Sequence, residues 1–155
     1  MEDFTMIIAS PFDREELLNE IYYKNTYLAE VNQEKDFLEI VLYCGNLHSI
    51  SLPLNEFQKV LEKAKYDLIG ESYKEKLESK RTFITSINTS YLDECKMLKD
   101  GTTVEVLYNN DLLAKVEQVN QSYGITFYFH SRNIEMPIES LQYILDEVKA
   151  QLMIE

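Results

Sequence analysis

A chain of 155 residues is long enough to bury one core of ordinary size, and 45% hydrophobic with 27% charged residues is the balance of a folded protein, not a disordered one. Its formal net charge of −12 disfavours nucleic-acid phosphates and anionic membrane as partners, because both would repel such a field, and favours a basic protein instead. No apolar run approaches the ~18 residues that span a bilayer, and Met1-Glu2-Asp3-Phe4 lacks the basic start of a secretory signal, so a cytoplasmic location is expected.

Residues 4–9 form a first candidate strand. Residues 20–23 and 28–31 are β-rich runs around Lys24-Asn25-Thr26, where Asn tolerates the left-handed backbone that a tight turn needs. A third strand is expected over residues 37–44. After Gly45-Asn46 a short fourth one, residues 48–52, leads through Pro53 into a helix. In that helix Phe57, Val60, Leu61, Ala64 and Leu68 fall on one face of a 3.6-residue period, with Asn55 as the expected N-cap and Gly70 as the stop. Residues 71–81 are charged and suit a linker helix or a last turn. Residues 82–90, rich in Thr, Ser, Asn and Ile, suit a further strand.

The same order then returns. Residues 20–33 align with residues 105–118, and the register continues from Ile40 to Ile125 and from Tyr43 to Tyr128. One residue is dropped, after which Pro53 matches Pro137. Gln58, Leu61, Lys65 and Leu68 then match Gln142, Leu145, Lys149 and Leu152. A spacing of about 85 residues is too long for a solenoid and suits a duplicated half-domain. We therefore expect a single α+β domain, 1–155, made of two tandem units at 17–70 and 101–155 joined by the segment 71–100. Each unit is an antiparallel β-meander of three to four strands followed by one amphipathic helix, with the helices on one face of the sheet or sheets. Whether the units form one continuous sheet or two layers stays open at this level.

Strand alternation sorts side chains onto two faces. Ile21, Tyr23, Ala29, Val31, Leu38, Ile40 and Leu42 share the side expected to receive the helix, as do Val106, Tyr108, Ala114, Val116, Ile125 and Phe127 in the second unit. The opposite side mixes tyrosine rings with carboxylates, which is what a Lys- or Arg-rich surface seeks. Its candidate partner-binding residues are Glu20, Tyr22, Glu30, Glu39, Tyr43, Glu105 and Tyr128. The plain alternative is that these residues bury against the other unit's sheet or a second copy of the chain in a homodimer.

Nothing in the sequence assembles catalysis, and no enzyme activity, cofactor or metal is expected. The only imidazoles, His48 and His130, lack metal-ligand spacing and suit exposed strand ends. Cys44 and Cys95 stand apart, as reduced thiols would. Among four glycines there is no phosphate-binding loop and no nucleophile elbow. The acidic pairs Glu15-Glu16 and Asp93-Glu94 suit loops or helix starts better than acid–base work.

A small, acidic, cysteine-poor α+β chain without catalytic groups resembles in type the immunity proteins of bacterial toxin–immunity systems. Its unit, opening on Glu20-Ile21-Tyr22-Tyr23 and closing in a Pro-preceded helix, also resembles short bacterial proteins over residues 17–69 and 102–153. That resemblance implies stoichiometric inhibition of a cationic toxin such as a nuclease. Two other readings remain: a phage or mobile-element protein that mimics nucleic acid against a defence complex, and a homodimeric structural or small-ligand protein. Mimicry fits less well, because residues 1–70 (13 acids, 6 bases) and 82–155 (11 acids, 5 bases) share the charge almost evenly, whereas a mimic concentrates it along one track.

Overall fold

A computed structural model describes residues 3–10, 16–69 and 95–153. The expected features at residues 71–81 and 82–90, at Gly70, at Glu15 and at Asp93-Glu94 lie outside the described residues. In chain order the elements are β1 (Phe4–Ala9), β2 (Leu18–Tyr23), β3 (Thr26–Asn32), β4 (Glu39–Leu42), β5 (Ser49–Pro53) and α1 (Leu54–Ile69). They are followed by β6 (Cys95–Asp100), β7 (Thr103–Tyr108), β8 (Asp111–Val119), β9 (Ser122–Tyr128), β10 (Ile134–Pro137) and α2 (Ile138–Met153). The fold is α+β, with two antiparallel five-stranded sheets and two long helices.

The local chemistry recurs at the two places where the sequence aligns. The β2–β3 and β7–β8 connections are two-residue turns, Lys24-Asn25 and Asn109-Asn110, and all four residues have positive φ between 49° and 68°. Such turns match the right-handed twist of the strands they join, and Asn adopts them with little strain. Each hairpin then carries a β-bulge at the same position, between Ile21 and Tyr22 in one and between Val106 and Leu107 in the other.

The fourth strands do not stay with their own units. The first sheet runs β1-β2-β3-β4-β10 and the second β5-β9-β8-β7-β6. Each four-stranded meander is thus completed by the short strand of the other half, in corresponding registers: Leu52 faces Ile125 and Met136 faces Ile40. Backbone bonds clamp the crossings, with Phe129 N–H donating to the His48 carbonyl at 3.0 Å and Ile138 N–H to the Leu38 carbonyl at 2.9 Å. The arrangement is neither one continuous sheet nor two self-contained units.

The second helix buries its whole expected stripe, and the first buries all of its own but Leu68, which is half-buried. Phe57, Val60, Leu61 and Ala64 of α1 are fully buried, and Leu141, Ile144, Leu145, Val148 and Leu152 of α2 are buried likewise. Leu54 opens α1 directly after Pro53, so Asn55 sits inside the first turn and is not the N-cap; its side-chain oxygen accepts from Lys149 Nζ at 2.6 Å. A proline fits such a helix start because its missing N–H has no helical partner there. The helices touch along polar edges through a matched pair of bonds, Gln58 to Asp146 at 3.0 Å and Gln142 to Glu62 at 3.1 Å. Phe57 ties the layers together, its ring 6.3 Å from Phe4 of the first sheet and 5.8 Å from Phe127 of the second. Each fully buried ring or aliphatic side chain of this kind contributes about 1.5–3 kcal/mol.

One strand was not anticipated. β6, Cys95-Lys96-Met97-Leu98-Lys99-Asp100, is charged enough to read as a linker, yet it pairs with β7 as β1 pairs with β2. Its place in the ladder, not its composition, makes it a strand.

Candidate functional site

The outer surface of the first sheet gathers five of the seven sequence-predicted residues into one cluster, Glu20, Tyr22, Glu30, Glu39 and Tyr43. Glu20 and Glu30 lie directly opposite each other on β2 and β3, and Val41 faces Glu30 from β4. Tyr22 faces Tyr27 across the turn-proximal end of the hairpin, their ring centroids 5.1 Å apart. Tyr43 closes the row, its ring edge-on to Tyr27 at 5.0 Å. Such tilted and edge-on contacts are the favoured geometries of aromatic pairs.

The carboxylates are held by the side chains around them. Tyr43 Oη donates to Glu30 at 2.7 Å, and Asn32 Nδ2 donates to the other Glu30 oxygen at 2.8 Å. Asn32 also reaches Glu39 at 3.4 Å, and Lys35 pairs with Glu39. Tyr22 Oη approaches Glu20 at 3.4 Å. A buried carboxylate is costly unless hydrogen-bonded, so these donors are what allow Glu30 to sit only 3% exposed.

The expected open face is therefore only partly open. Glu30, Asn32, Glu39 and Val41 are buried, so Glu30 and Glu39 serve as internal anchors. Glu20, Tyr22, Tyr27 and Tyr43 are half-buried and reachable. Beside them a cleft of about 610 Å³ runs between Tyr27, Tyr43 and the turn from Cys44 to Leu47. Burial, with smaller effects from Tyr43 and the carboxylates of Glu20 and Glu30, pushes the Tyr27 phenol well above the usual tyrosine range; burial and then Glu20 do the same more mildly at Tyr22. The phenols thus stay neutral donors beside neighbouring carboxylates.

Glu105 and Tyr128 lie apart, on the second sheet. There Glu105 faces Lys115, and Lys115 is in turn paired with Glu117 at 2.8 Å, a bond that holds its ammonium charged. Leu107 and Leu112 stand where the first sheet has Tyr22 and Tyr27. The tyrosine row therefore belongs to the first sheet alone.

Sequence reasoning overlooked Tyr27. Counting by twos from Glu30 sends it to the core side. The bulge inserts Leu28 as an extra residue, so Leu28 and Ala29 are both buried and Tyr27 turns outward beside Tyr22. Asn32 was likewise overlooked, although a polar residue two positions after Glu30 could have suggested it.

His48 and His130 are both exposed, and the strand exchange brings them to one corner of the second sheet. His130 Nε2 lies 2.6 Å from the Leu112 carbonyl. Among the described residues no group of three or more His, Cys, Asp or Glu side chains is placed to hold a metal ion, and no helix is long and apolar enough to cross a membrane. Neither Cys44 nor Cys95 is in a disulfide. No protein-family model, curated protein or solved structure matches this chain.

Proposed function

We propose that this chain is a non-catalytic binding protein that inhibits a basic partner by stoichiometric association, in the manner of an immunity protein neutralising a cationic toxin such as a nuclease. The observation that supports this reading is the row Tyr22–Tyr27–Tyr43 set against Glu20 and Glu30 on a chain of net charge −12. Three phenol rings with a carboxylate at their margin offer a Lys or Arg side chain both a π-face and an ion-pair partner. The rings are held by one another and by Glu30, so little side-chain freedom is lost on binding. The distributed acidity would speed encounter and make it salt-sensitive.

The test is affinity capture from native lysate at low salt, followed by calorimetry with the captured protein. A one-to-one complex with a basic protein that dissociates at high salt and weakens on Tyr22→Ala is the expected result. Recovery of the chain alone as a homodimer, with Tyr22→Ala and Tyr43→Ala dissociating it, would replace this reading with the structural one.

A further inference from the structure

The two sheets end in four free edges among the described residues, and three carry the usual protections against strand addition. β10 is four residues long and holds Glu135 and Pro137, β5 ends in Pro53, and β6 carries Lys96, Lys99 and Asp100. Charges, prolines and short length are how natural edges avoid unwanted pairing. β1, Phe4-Thr5-Met6-Ile7-Ile8-Ala9, has six residues, no charge and no proline.

Comparison with its counterpart sharpens the contrast. Phe4 faces Tyr23 as Cys95 faces Tyr108, which places Thr5 where the other sheet has Lys96, Ile7 at Leu98 and Ile8 at Lys99. Both lysines are thus absent from β1. Ile7 and Ile8, each 48% exposed, point to opposite faces of the sheet. Lys24 N–H donates to the Asp3 carbonyl at 2.8 Å, so odd-numbered residues of β1 bond inward to β2. By antiparallel alternation the backbone groups of Phe4, Met6 and Ile8 point away from β2, to the side on which no described strand pairs.

We propose that β1 is the docking edge for an extended, lysine- or arginine-bearing segment of the basic partner, which joins the first sheet as a sixth strand. This deepens, and rests on, the function proposed above. Charge selects the occupant: the first 23 residues hold six carboxylates against one cation, Arg14. A second copy of this chain would bring the same net charge of −12 and be repelled. The geometry is continuous with the tyrosine face, because Thr5 faces Tyr22 and Ile7 faces Glu20. A cationic side chain at the outward position of an added strand would stand beside Thr5 and Ile7, on the same surface as Glu20 and Tyr22 but separated from them by β1, about 9–10 Å away and within the span of an extended Lys or Arg leaning across that strand. Main-chain pairing would supply affinity and these side chains selectivity.

The test uses the full chain and a fluorescein-labelled peptide of alternating lysine and valine, read by anisotropy at low salt, with a proline-interrupted peptide as control. Thr5→Lys with Ile8→Lys copies the counterpart strand at two exposed positions, and an unchanged thermal melt verifies its fold. The expected result is binding of the alternating peptide alone, weakened at least about tenfold in the double variant. Equal binding by both proteins, or no binding by either, overturns the proposal. So does a wild-type dimer in sedimentation that the double variant dissolves, which would make a second copy the occupant. A captured partner that loses affinity on Tyr22→Ala but not on Thr5→Lys/Ile8→Lys removes the edge and leaves the face reading standing. Indifference to both variants removes both.

Discussion

Leu52 lies opposite Ile125, so a residue leading out of the first meander completes the sheet of the second. Met136 returns the exchange opposite Ile40. All three of Leu52, Ile125 and Met136 are at most 3% exposed, which makes the crossing part of the core. A chain divided into 1–81 and 82–155 should therefore give two halves that do not unfold cooperatively alone. Mixed, they should form a one-to-one complex with a single melt. Circular dichroism and size-exclusion chromatography check this, and a sharp melt from either half alone would contradict it.

Asn19 is fully buried and, among the described residues, neither its side-chain nitrogen nor its oxygen has a hydrogen-bond partner; its counterpart on the second sheet is the equally buried Val104. An unpaired buried amide costs about 1–3 kcal/mol. Asn19→Val should raise stability by about that amount, seen as a higher urea midpoint with an unchanged slope. A destabilised variant would show that the amide has a partner the fold depends on.

Phe57 is in contact with rings of both sheets, so its removal loosens two layers at once. Phe57→Ala should cost about 3–5 kcal/mol, the range for deleting a large buried aromatic. Phe57→Leu, which refills most of the space, should cost clearly less. Equal losses in chemical denaturation would mean that ring stacking, not volume, carries the contact.

The raised ionisation of Tyr27 has a definite sign. In the unfolded chain its phenol loses a proton near the ordinary value of 10.0, while in the folded protein it stays protonated to higher pH. The folded state then binds more protons than the unfolded one, so stability falls as pH rises above about 10. Below that value the contribution is fully present. Tyr27→Phe should flatten the alkaline decline in melting temperature. Ultraviolet titration should show fewer than the chain's 11 tyrosines ionised while it remains folded. An alkaline slope identical in wild type and variant would count against this.

Much of the local structure was legible because its causes are local. The period of Phe57, Val60, Leu61 and Ala64 dictates a helix with one buried face, and Asn25 and Asn110 tolerate the left-handed turns that build the hairpins. Alternation likewise placed Ile21, Val31 and Ile40 in the core and Glu20 and Tyr22 outside it. Composition determined the acidity that any partner must meet.

What the tertiary structure decided depends on pairing between segments far apart in the chain. Nothing local distinguishes β5 pairing beside β4 from β5 pairing beside β9, because the same apolar alternation satisfies both sheets. The extra residue of the bulge is likewise a property of two strands in register, and it alone turned Tyr27 outward to complete the tyrosine row. Burial of Glu30 and Glu39 required Tyr43, Asn32 and Lys35 to converge as donors, a convergence that follows from folding and not from residue spacing. Propensity and period act within a few residues of chain, whereas register, strand exchange and the desolvation of a carboxylate are set by the partners that packing brings together.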